Sequence, residues 1–501
     1  MSDYKNLQNG SDIRGVALDG VAGETVNLTP QIACDIAAAF GRFLSTQCGE
    51  PVENLTVSVG RDSRLSGPAL DEGVTRGLTS MNIRVASCGL ASTPAMFMST
   101  VLPDLAFDGG IMITASHLPK NRNGLKFFTK NGGLEKDEIA AILADCVPTS
   151  GELRSDRVFA CSLIESYSAH LRDIIRKGVN SGTNYEKPLT GFKIAVDAGN
   201  GAGGFFAAQV LGPLGADYSG SVFLEPDGDF PNHIPNPENK EAMAAICKAV
   251  TDGGCDLGII FDTDVDRAAA VDSEGREISR NRLIALMSSI VAEDAPGSVI
   301  VTDSVTSSQL KMFIEQELGC VHHRFKRGYK NVINESIRLN NAGKTSLLAI
   351  ETSGHGALRE NYFLDDGAYL SAKIIIKLAK LREQGQTLGS LLCKLEDPLE
   401  AGEFRIKIDC EDFKAYGAKV LEDLTAYAAS RADWQPANDN YEGLRADVPA
   451  ADGWFLLRLS LHDPQMPLNI ESNKEGGIAA IAAMLRDFLK NYPKLILPAS
   501  L

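Results

Sequence analysis

The sequence predicts an α/β protein of several related domains, closed by a small α+β domain. Three observations carry this reading. Short apolar runs repeatedly end in small polar turns and pass into stretches with helical periodicity. The same phrase of strand, polar turn, helix, glycine and strand recurs along the chain, as in three related α/β domains whose strand-end turns face a common cleft. The last hundred or so residues instead mix period-two strands with two helices.

Taken in order, Thr29-Pro30 caps a helix whose apolar face is Ile32, Ile36, Phe40 and Phe43. Leu55 to Val59 alternates as a strand, and Gly60-Arg61-Asp62-Ser63-Arg64 follows as a polar turn. A helix from about Pro68 to Ser80 leads to a strand at Ile83-Arg84-Val85. Gly110-Ile111-Met112-Ile113 reads as a buried strand running into Thr114-Ala115-Ser116-His117-Leu118-Pro119. Pro119 blocks a helix there, and Asn121, Asn123 and Gly124 keep the chain turning.

The recurring phrase is clearest twice more. Ile194 to Val196 leads to Asp197-Ala198-Gly199-Asn200-Gly201, a helical stretch and Gly215. Val299 to Val301 leads to Thr302-Asp303-Ser304, a helix to about Leu318 and Gly319. In the final domain Phe404 to Ile408 and Trp454 to Leu457 read as strands. Helices are expected from about Glu411 to Ala429 and over Ile478, Ile481, Met484, Leu485 and Phe488, with a polar, proline-broken stretch from Ala432 to Pro449. The expected domains are residues 1–155, 156–277, 278–397 and 398–501.

With 501 residues, 23% charged and 44% hydrophobic, the chain is globular. It has no apolar run long enough to span a membrane and no signal-peptide pattern at its start. The ten cysteines form no Cys-x-x-Cys pair, as expected of free thiols in a reducing compartment. A net charge of −16 argues against a nucleic-acid partner but allows an anionic small substrate where basic residues cluster.

Three stretches and a set of scattered basic residues carry chemistry. Ser116, at a loop tip between Thr114 and His117, can act as a nucleophile, carry a phosphate or close a turn. Leu257 to Phe261 is an apolar strand ending in Asp262-Thr263-Asp264-Val265-Asp266-Arg267. Three carboxylates so close repel one another unless a cation neutralises them, and hard oxygen ligands suit Mg²⁺. Ala349-Ile350 leads into Glu351-Thr352-Ser353-Gly354-His355, a mixture of donors and acceptors suited to sugar hydroxyls. Asp365-Asp366-Gly367 reads as a helix cap. Arg14, Lys126, Lys326, Arg327, Lys330 and Arg458 stand beside polar turns, a placement that favours phosphate.

In combination these stretches resemble the α-D-phosphohexomutases, the family of phosphoglucomutases, phosphomannomutases and their amino-sugar relatives. Thr114 to Pro119 resembles that family's phosphoserine loop, Asp262 to Arg267 its metal loop, and Glu351 to His355 its sugar-recognition loop. Gly60 to Arg64 and Pro226 to His233 are also similar to family segments. The resemblance implies four domains around a central cleft, three related α/β domains with mixed sheets and a C-terminal α+β domain. It implies a mutase that interconverts hexose 1-phosphate and hexose 6-phosphate through a phosphoserine and a 1,6-bisphosphate, with glucose or mannose as the sugar. An amino-sugar phosphate mutase, a phosphatase and a non-catalytic sugar-phosphate binder are the alternatives.

The roles implied are residue by residue. Ser116 carries the phosphoryl group, Lys126 moves a proton, and His117 and Arg267 complete the catalytic set. Ser116, Asp262, Asp264 and Asp266 hold Mg²⁺. Arg14, Lys326, Arg327, Glu351, Ser353, His355, Arg458 and Ser460 bind the substrate. The expected setting is cytoplasmic, as a monomer or homodimer, with small-molecule sugar phosphates as partners and neither nucleic acid nor membrane.

Departures from the pattern are specific. Thr263 stands where the metal loop usually has glycine, and Tyr329 where histidine is frequent. The C-terminal phosphate loop reads Arg458-Leu459-Ser460-Leu461-His462-Asp463-Pro464 in place of Arg-x-Ser-Gly-Thr-Glu. This and Gly453-Trp454 look closest to the phosphomannomutase/phosphoglucomutase branch. Asp463 adds a negative charge where phosphate is expected.

Overall fold

The computed structural model describes residues 4–460 and 463–501; Leu461 and His462 of the expected phosphate loop lie outside the described residues. The chain forms two units, residues 1–279 with 353–388, and residues 280–352 with 389–501.

The first unit holds two mixed sheets. In the larger, the strand Thr56–Arg61 pairs in parallel with Arg84–Leu90 and Gly109–Ile113, and Arg84–Leu90 pairs in parallel with Val158–Ala160. Gly109–Ile113 then pairs antiparallel with Arg122–Thr129, which pairs antiparallel with Asp12–Val16. The strand at residue 56 runs through Arg61, so the predicted turn starts two residues later. In the smaller sheet, Leu257–Phe261 lies parallel to Ile194–Asp197 and antiparallel to Ala268–Asp272.

The helix Pro30–Cys48 starts as its sequence dictates. Thr29 Oγ1 accepts the Ile32 N–H at 3.2 Å, and Pro30 occupies a first-turn position that needs no N–H. Its apolar face joins a core with Val57, Val59, Ile111 and Phe127, and the rings of Phe40 and Phe127 lie 4.8 Å apart. The helix Gly67–Ser80 crosses it closely. A Cβ at Gly73 or at Gly77 would stand 2.2 Å from the carbonyl oxygen of Pro30 or of Cys34. The chain needs glycine there so that the two helices can bury their apolar faces together.

In the second unit, Val299–Asp303 is flanked in parallel by Val321–Phe325 and Leu348–Ile350. The helix expected after Val301 forms as one α-turn segment, Ser308–Met312, followed by π-type backbone at Phe313–Glu317. The stretch after Gly201 likewise becomes only π-type backbone at Phe206–Leu211. The C-terminal domain is a six-stranded antiparallel sheet, with Gly453–Leu457 and Glu400–Ile408 each paired to Gln465–Ser472. The helices Phe413–Ser430 and Gly477–Leu489 cover a core that includes Val420, Leu424, Phe455, Ile481 and Leu485.

The polar stretch from Ala432 to Pro449 contains a strand, Leu444–Val448, that its composition conceals. Arg445 is buried in that strand over the Trp454 ring, 3.4 Å from its centre, and donates to the carbonyl oxygens of Ser304 and Thr306 at 3.1 and 3.0 Å. A polar residue is thus a core residue, its charge met by π density and backbone oxygen while Nη2 stays buried without a hydrogen-bond partner. All ten cysteines are unbridged. No helix among the described residues is long and apolar enough to cross a membrane.

Candidate active site

In the first unit, two strand ends meet. The strand Gly109–Ile113 delivers Ser116, and Leu257–Phe261 delivers Asp262. Ser116 Oγ donates to Asp262 Oδ2 at 3.0 Å and lies 3.4 Å from His117 Nδ1. Ser116 has φ 50, a conformation costly for a residue with a Cβ. Two groups over-determine it. Thr114 Oγ1 accepts the Ser116 N–H at 2.9 Å, and the fully buried Arg64 guanidinium donates to the Ser116 carbonyl oxygen. Arg64 also donates to the carbonyl oxygens of Leu118, Pro119 and Arg122 at 2.7, 2.8 and 3.1 Å. Its charge is balanced by Asp62 at 3.2 Å. Arg14 holds the strand side of the loop, donating to the Thr114 carbonyl oxygen at 2.5 Å and pairing with Asp12 at 2.7 Å.

Asp262, Asp264 and Asp266 are all buried and each offers a carboxylate oxygen within 4.8 Å of the others. Asp264 Oδ1 is buried without a hydrogen-bond partner, while Asp264 Oδ2 accepts from Thr93 Oγ1. Burial and the two neighbouring carboxylates push Asp262 well above the usual carboxylate range. Burial opposes ionisation of Asp266 too, but Lys126, His355 and Arg267 outweigh it and hold that group well below the usual range. Such a crowd of hard, dry oxygens, two of which (Asp264 Oδ1 and Asp266 Oδ1) have no hydrogen-bond partner, fits a small divalent cation.

The loop is bent by design. Val265 has φ 68, an outlier for a β-branched residue, and its carbonyl oxygen accepts the Gly367 N–H at 3.0 Å. A Cβ at Gly367 would meet the Arg267 carbonyl carbon at 2.7 Å, so glycine lets the helix Gly367–Glu383 abut the loop. Asp366 caps that helix by accepting the Tyr369 N–H at 2.8 Å, as its sequence predicted.

Cations surround the aspartates. Lys126 Nζ stands 2.5 Å from Asp266 and 3.5 Å from Asp264. Arg267 lies 3.8 Å from Asp262 and donates from Nε to His355 Nε2 at 3.1 Å. Ser353 Oγ is 3.0 Å from His355 Nδ1. With Arg267 and burial both acting on it, His117 is pushed down to about 2, so its imidazole is neutral.

The predicted residues Arg14, Ser116, His117, Lys126, Asp262, Asp264, Asp266, Arg267, Ser353 and His355 all fall in this first unit. The second unit carries the rest. Glu351 Oε1 accepts the Gly328 N–H at 2.6 Å, and Thr352 Oγ1 donates to Asp303 at 2.7 Å. Arg327 donates its backbone N–H to Glu442 at 3.1 Å and holds its guanidinium 3.9 Å from Asp303; Lys326 is exposed. Arg458 Nε is buried with no hydrogen-bond partner. Ser460 Oγ accepts the Asp463 N–H at 3.2 Å, and the Asp463 carboxylate accepts from Gln465 at 3.2 Å.

Sequence reasoning missed Thr93 and the central position of Arg64. Arg64 had a signal, the family-like Gly60–Arg64 segment; Thr93 reads only as the start of a helix capped by Ser92.

Comparison with known proteins gives the same picture along the whole chain. Residues 5–152, 165–275 and 279–398 match the patterns described as phosphoglucomutase/phosphomannomutase alpha/beta/alpha domains I, II and III. A Pseudomonas putida protein named phosphomannomutase/phosphoglucomutase is 31% identical over 494 residues, covering 97% of both chains. A Neisseria gonorrhoeae phosphoglucomutase is 29% identical over 482 residues, covering 96% of both. A solved phosphoglucomutase/phosphomannomutase family protein from Burkholderia thailandensis superposes with a TM-score of 0.78 at 27% identity, covering 99% of both chains.

Proposed function

The chain belongs to the phosphoglucomutase/phosphomannomutase family, and from that premise we propose a reaction and a role for each residue of the site. It is a phosphohexomutase, an isomerase built of three α/β/α domains and a fourth with an antiparallel sheet. The proposed reaction interconverts the 1- and 6-phosphates of glucose or mannose. Ser116 rests as phosphoserine, and its phosphoryl group passes to the free hydroxyl of the sugar phosphate. The resulting 1,6-bisphosphate reorients, and its other phosphoryl group returns to Ser116 Oγ. The observation that carries this is the 3.0 Å contact of Ser116 Oγ with one of three clustered, buried aspartates. A bystander turn serine would not be built against such a cluster.

The proposed cation is Mg²⁺, held by Asp262, Asp264 and Asp266 and by an oxygen at Ser116. When bound it supplies Lewis-acid neutralisation of the phosphoryl charge. The protein's own residues do the remainder. Arg64 and Thr114 hold Ser116 in the conformation that presents Oγ. Arg267, kept in place by His355, balances phosphoryl charge, and the neutral imidazole of His117 adds a hydrogen-bonding group without a second charge beside it. Lys126 is the proton carrier. It takes the proton of the attacking sugar hydroxyl as the phosphoryl group leaves Ser116 Oγ and passes it to that oxygen; in the return step Ser116 Oγ attacks, gives up its proton, and the departing sugar oxygen receives it.

Substrate recognition is assigned to Arg14, Ser353 and His355 in the first unit and to Lys326, Arg327, Glu351, Arg458 and Ser460 in the second. Arg458 is proposed to anchor the phosphate that is not being transferred. The domain bounds proposed are 1–155, 156–277, 278–397 and 398–501.

The test is a coupled assay on glucose 1-phosphate, mannose 1-phosphate and glucosamine 1-phosphate, each with its 1,6-bisphosphate as activator. Isomerisation of the glucose or mannose ester is expected. Release of inorganic phosphate without isomer would establish a phosphatase instead, and turnover of the amino sugar alone would move the assignment to that substrate.

A further inference from the structure

Away from the aspartates, the first unit has an open cavity of about 710 Å³ lined by Cys88, Cys161, Ser162, Glu165, Arg172 and Arg176, among others. Two of its walls are thiols on neighbouring strands. Ser87 is in register with Ala160 across the parallel pair, and the Cys161 N–H donates to the Ser87 carbonyl oxygen at 2.9 Å. Cys88 lies in the strand Arg84–Leu90 and Cys161 directly follows the strand Val158–Ala160, so the two are neighbours across the pair, and both line the cavity. Neighbouring strands lie about 4.8 Å apart, inside the Cα separation of about 4.4–6.8 Å that a disulfide spans. Cys88 is also the extra residue of a bulge, since Val59 pairs with Ser87 and Gly60 with Gly89. A bulge gives the backbone slack to adjust to a new bond.

We propose that Cys88 and Cys161 form a cross-strand dithiol site that reacts with small anionic disulfides and closes into an internal disulfide. Cys161 is the attacking group. It is half-exposed to the cavity and the neighbouring Cys88 lowers it below the ordinary thiol range, whereas Cys88 donates its own thiol hydrogen to the Ala86 carbonyl oxygen at 3.4 Å. Of the charged groups at that cavity, Arg176 is paired with Asp173 and Glu186, and Glu165 is acidic, so Arg172, which donates to the Gln209 carbonyl oxygen at 2.6 Å, is the cation left for an anionic oxidant. In the first step the Cys161 thiolate attacks one sulfur of the small disulfide, forming a mixed disulfide and expelling a thiolate. In the second, Cys88 loses its proton to solvent, its sulfur attacks Cys161 Sγ, and the second thiolate leaves. Two electrons pass to the oxidant, and two small thiols result.

Closure would be felt at the aspartates. Five residues beyond Cys88, the backbone N–H of Thr93 donates to the Asp264 carbonyl oxygen at 2.8 Å, and its hydroxyl donates to the Asp264 carboxylate. Drawing in the bulge shifts the short segment that ends at Thr93, so oxidation lowers mutase turnover; this consequence rests on the reading of the site given above, whereas the dithiol chemistry does not.

The test uses the full-length chain and glutathione disulfide. Reduced protein is oxidised, blocked with N-ethylmaleimide and mapped by mass spectrometry without reductant. The expected product is a cross-linked Cys88–Cys161 peptide, reversed by dithiothreitol, with the exposed Cys48 and Cys393 outside any internal bond. Cys88→Ser should stop at a mixed disulfide on Cys161, and Cys161→Ser should leave Cys88 unmodified. Absence of the cross-link in folded, oxidised protein, or a Cys88 adduct in Cys161→Ser, overturns the site. A cross-link that leaves hexose-phosphate turnover unchanged overturns the coupling alone.

Discussion

Arg64 donates to the carbonyl oxygen of Ser116, placing a fully buried guanidinium behind a loop-tip serine. Four carbonyl oxygens of one loop, those of Ser116, Leu118, Pro119 and Arg122, converge on this one side chain. A planar fork with five donors can meet them together, and an ammonium on a flexible stem cannot.

Arg64→Ala should therefore lose both stability and turnover. It leaves Asp62 buried without its partner, an error worth about 3–5 kcal/mol. Arg64→Lys restores charge but not the fork, so it should recover stability in urea unfolding more than it recovers kcat. Equal recovery of both would show that Arg64 serves the fold and has no special part in presenting Ser116.

Ser116→Ala should stay folded and lose turnover by a factor of at least about 10³, as expected when a covalent nucleophile is removed. The deleted hydroxyl bonds to Asp262 and His117 but packs in no apolar core. Wild-type protein should also carry a phosphate mapped to Ser116, and the variant should not. Near-normal turnover in a folded Ser116→Ala protein would sink the phosphoserine route.

Asp264→Asn tests the cation. In wild type, Mg²⁺ at about 100 times its dissociation constant should stabilise the fold by about 2.7 kcal/mol, and a chelator should remove that gain. The variant keeps an oxygen for Thr93 but loses one anionic ligand, so its Mg²⁺-dependent shift in melting temperature should shrink and kcat should fall. An undiminished shift would place the ion elsewhere.

Much of this was legible in the chain. An apolar strand that stops dead in three aspartates must neutralise them, which pointed to Asp262, Asp264 and Asp266 before any fold was known. The strands and the helices at Pro30, Gly67 and Gly477 announced themselves by periodicity and caps. The hidden parts were those in which a polar residue does an apolar residue's work. Arg445 makes Leu444–Val448 look like a loop, and Thr93 meets Asp264 across 171 positions of sequence. Contacts of that span arise only from tertiary packing, and local pattern holds no trace of them.

Arg445 has a partner whose titration can be read. Glu471 accepts the Trp454 indole N–H at 3.0 Å, and burial, only partly offset by Arg445, pushes it from 4.5 up to about 7. Between these values the folded state holds a proton that the unfolded state has released. Stability therefore falls as pH rises from about 4.5 to 7, by at most roughly 3 kcal/mol, and levels off above. Glu471→Gln keeps the acceptor for Trp454 and removes the titration. Its unfolding midpoint in urea should drop less than that of wild type between pH 5 and 8; parallel profiles would mean that Glu471 is ionised throughout.

Arg458 offers the reverse of Arg64. Its Nε is buried with no partner, and burial lowers the guanidinium from its ordinary value. The side chain as a whole is half-buried, so the buried, unsatisfied Nε is the costly part in the free protein, and the cost is explicable if an anion completes it. The Asp463 carboxylate, whose charge opposes this, accepts from the neutral Gln465 amide, which leaves that charge in place. Truncating Arg458 should then cost far less stability than truncating Arg64, because no satisfied network is broken. The loss should appear in catalysis. Removing a charge-assisted phosphate contact is worth roughly 1.5–3 kcal/mol, or about ten- to a hundredfold in kcat/KM. Because binding at the far phosphate also positions the reacting end, kcat should fall as KM rises. An Arg458→Ala protein that unfolds early and yet, while folded, turns over normally would assign this arginine to the fold and leave the phosphate to another residue.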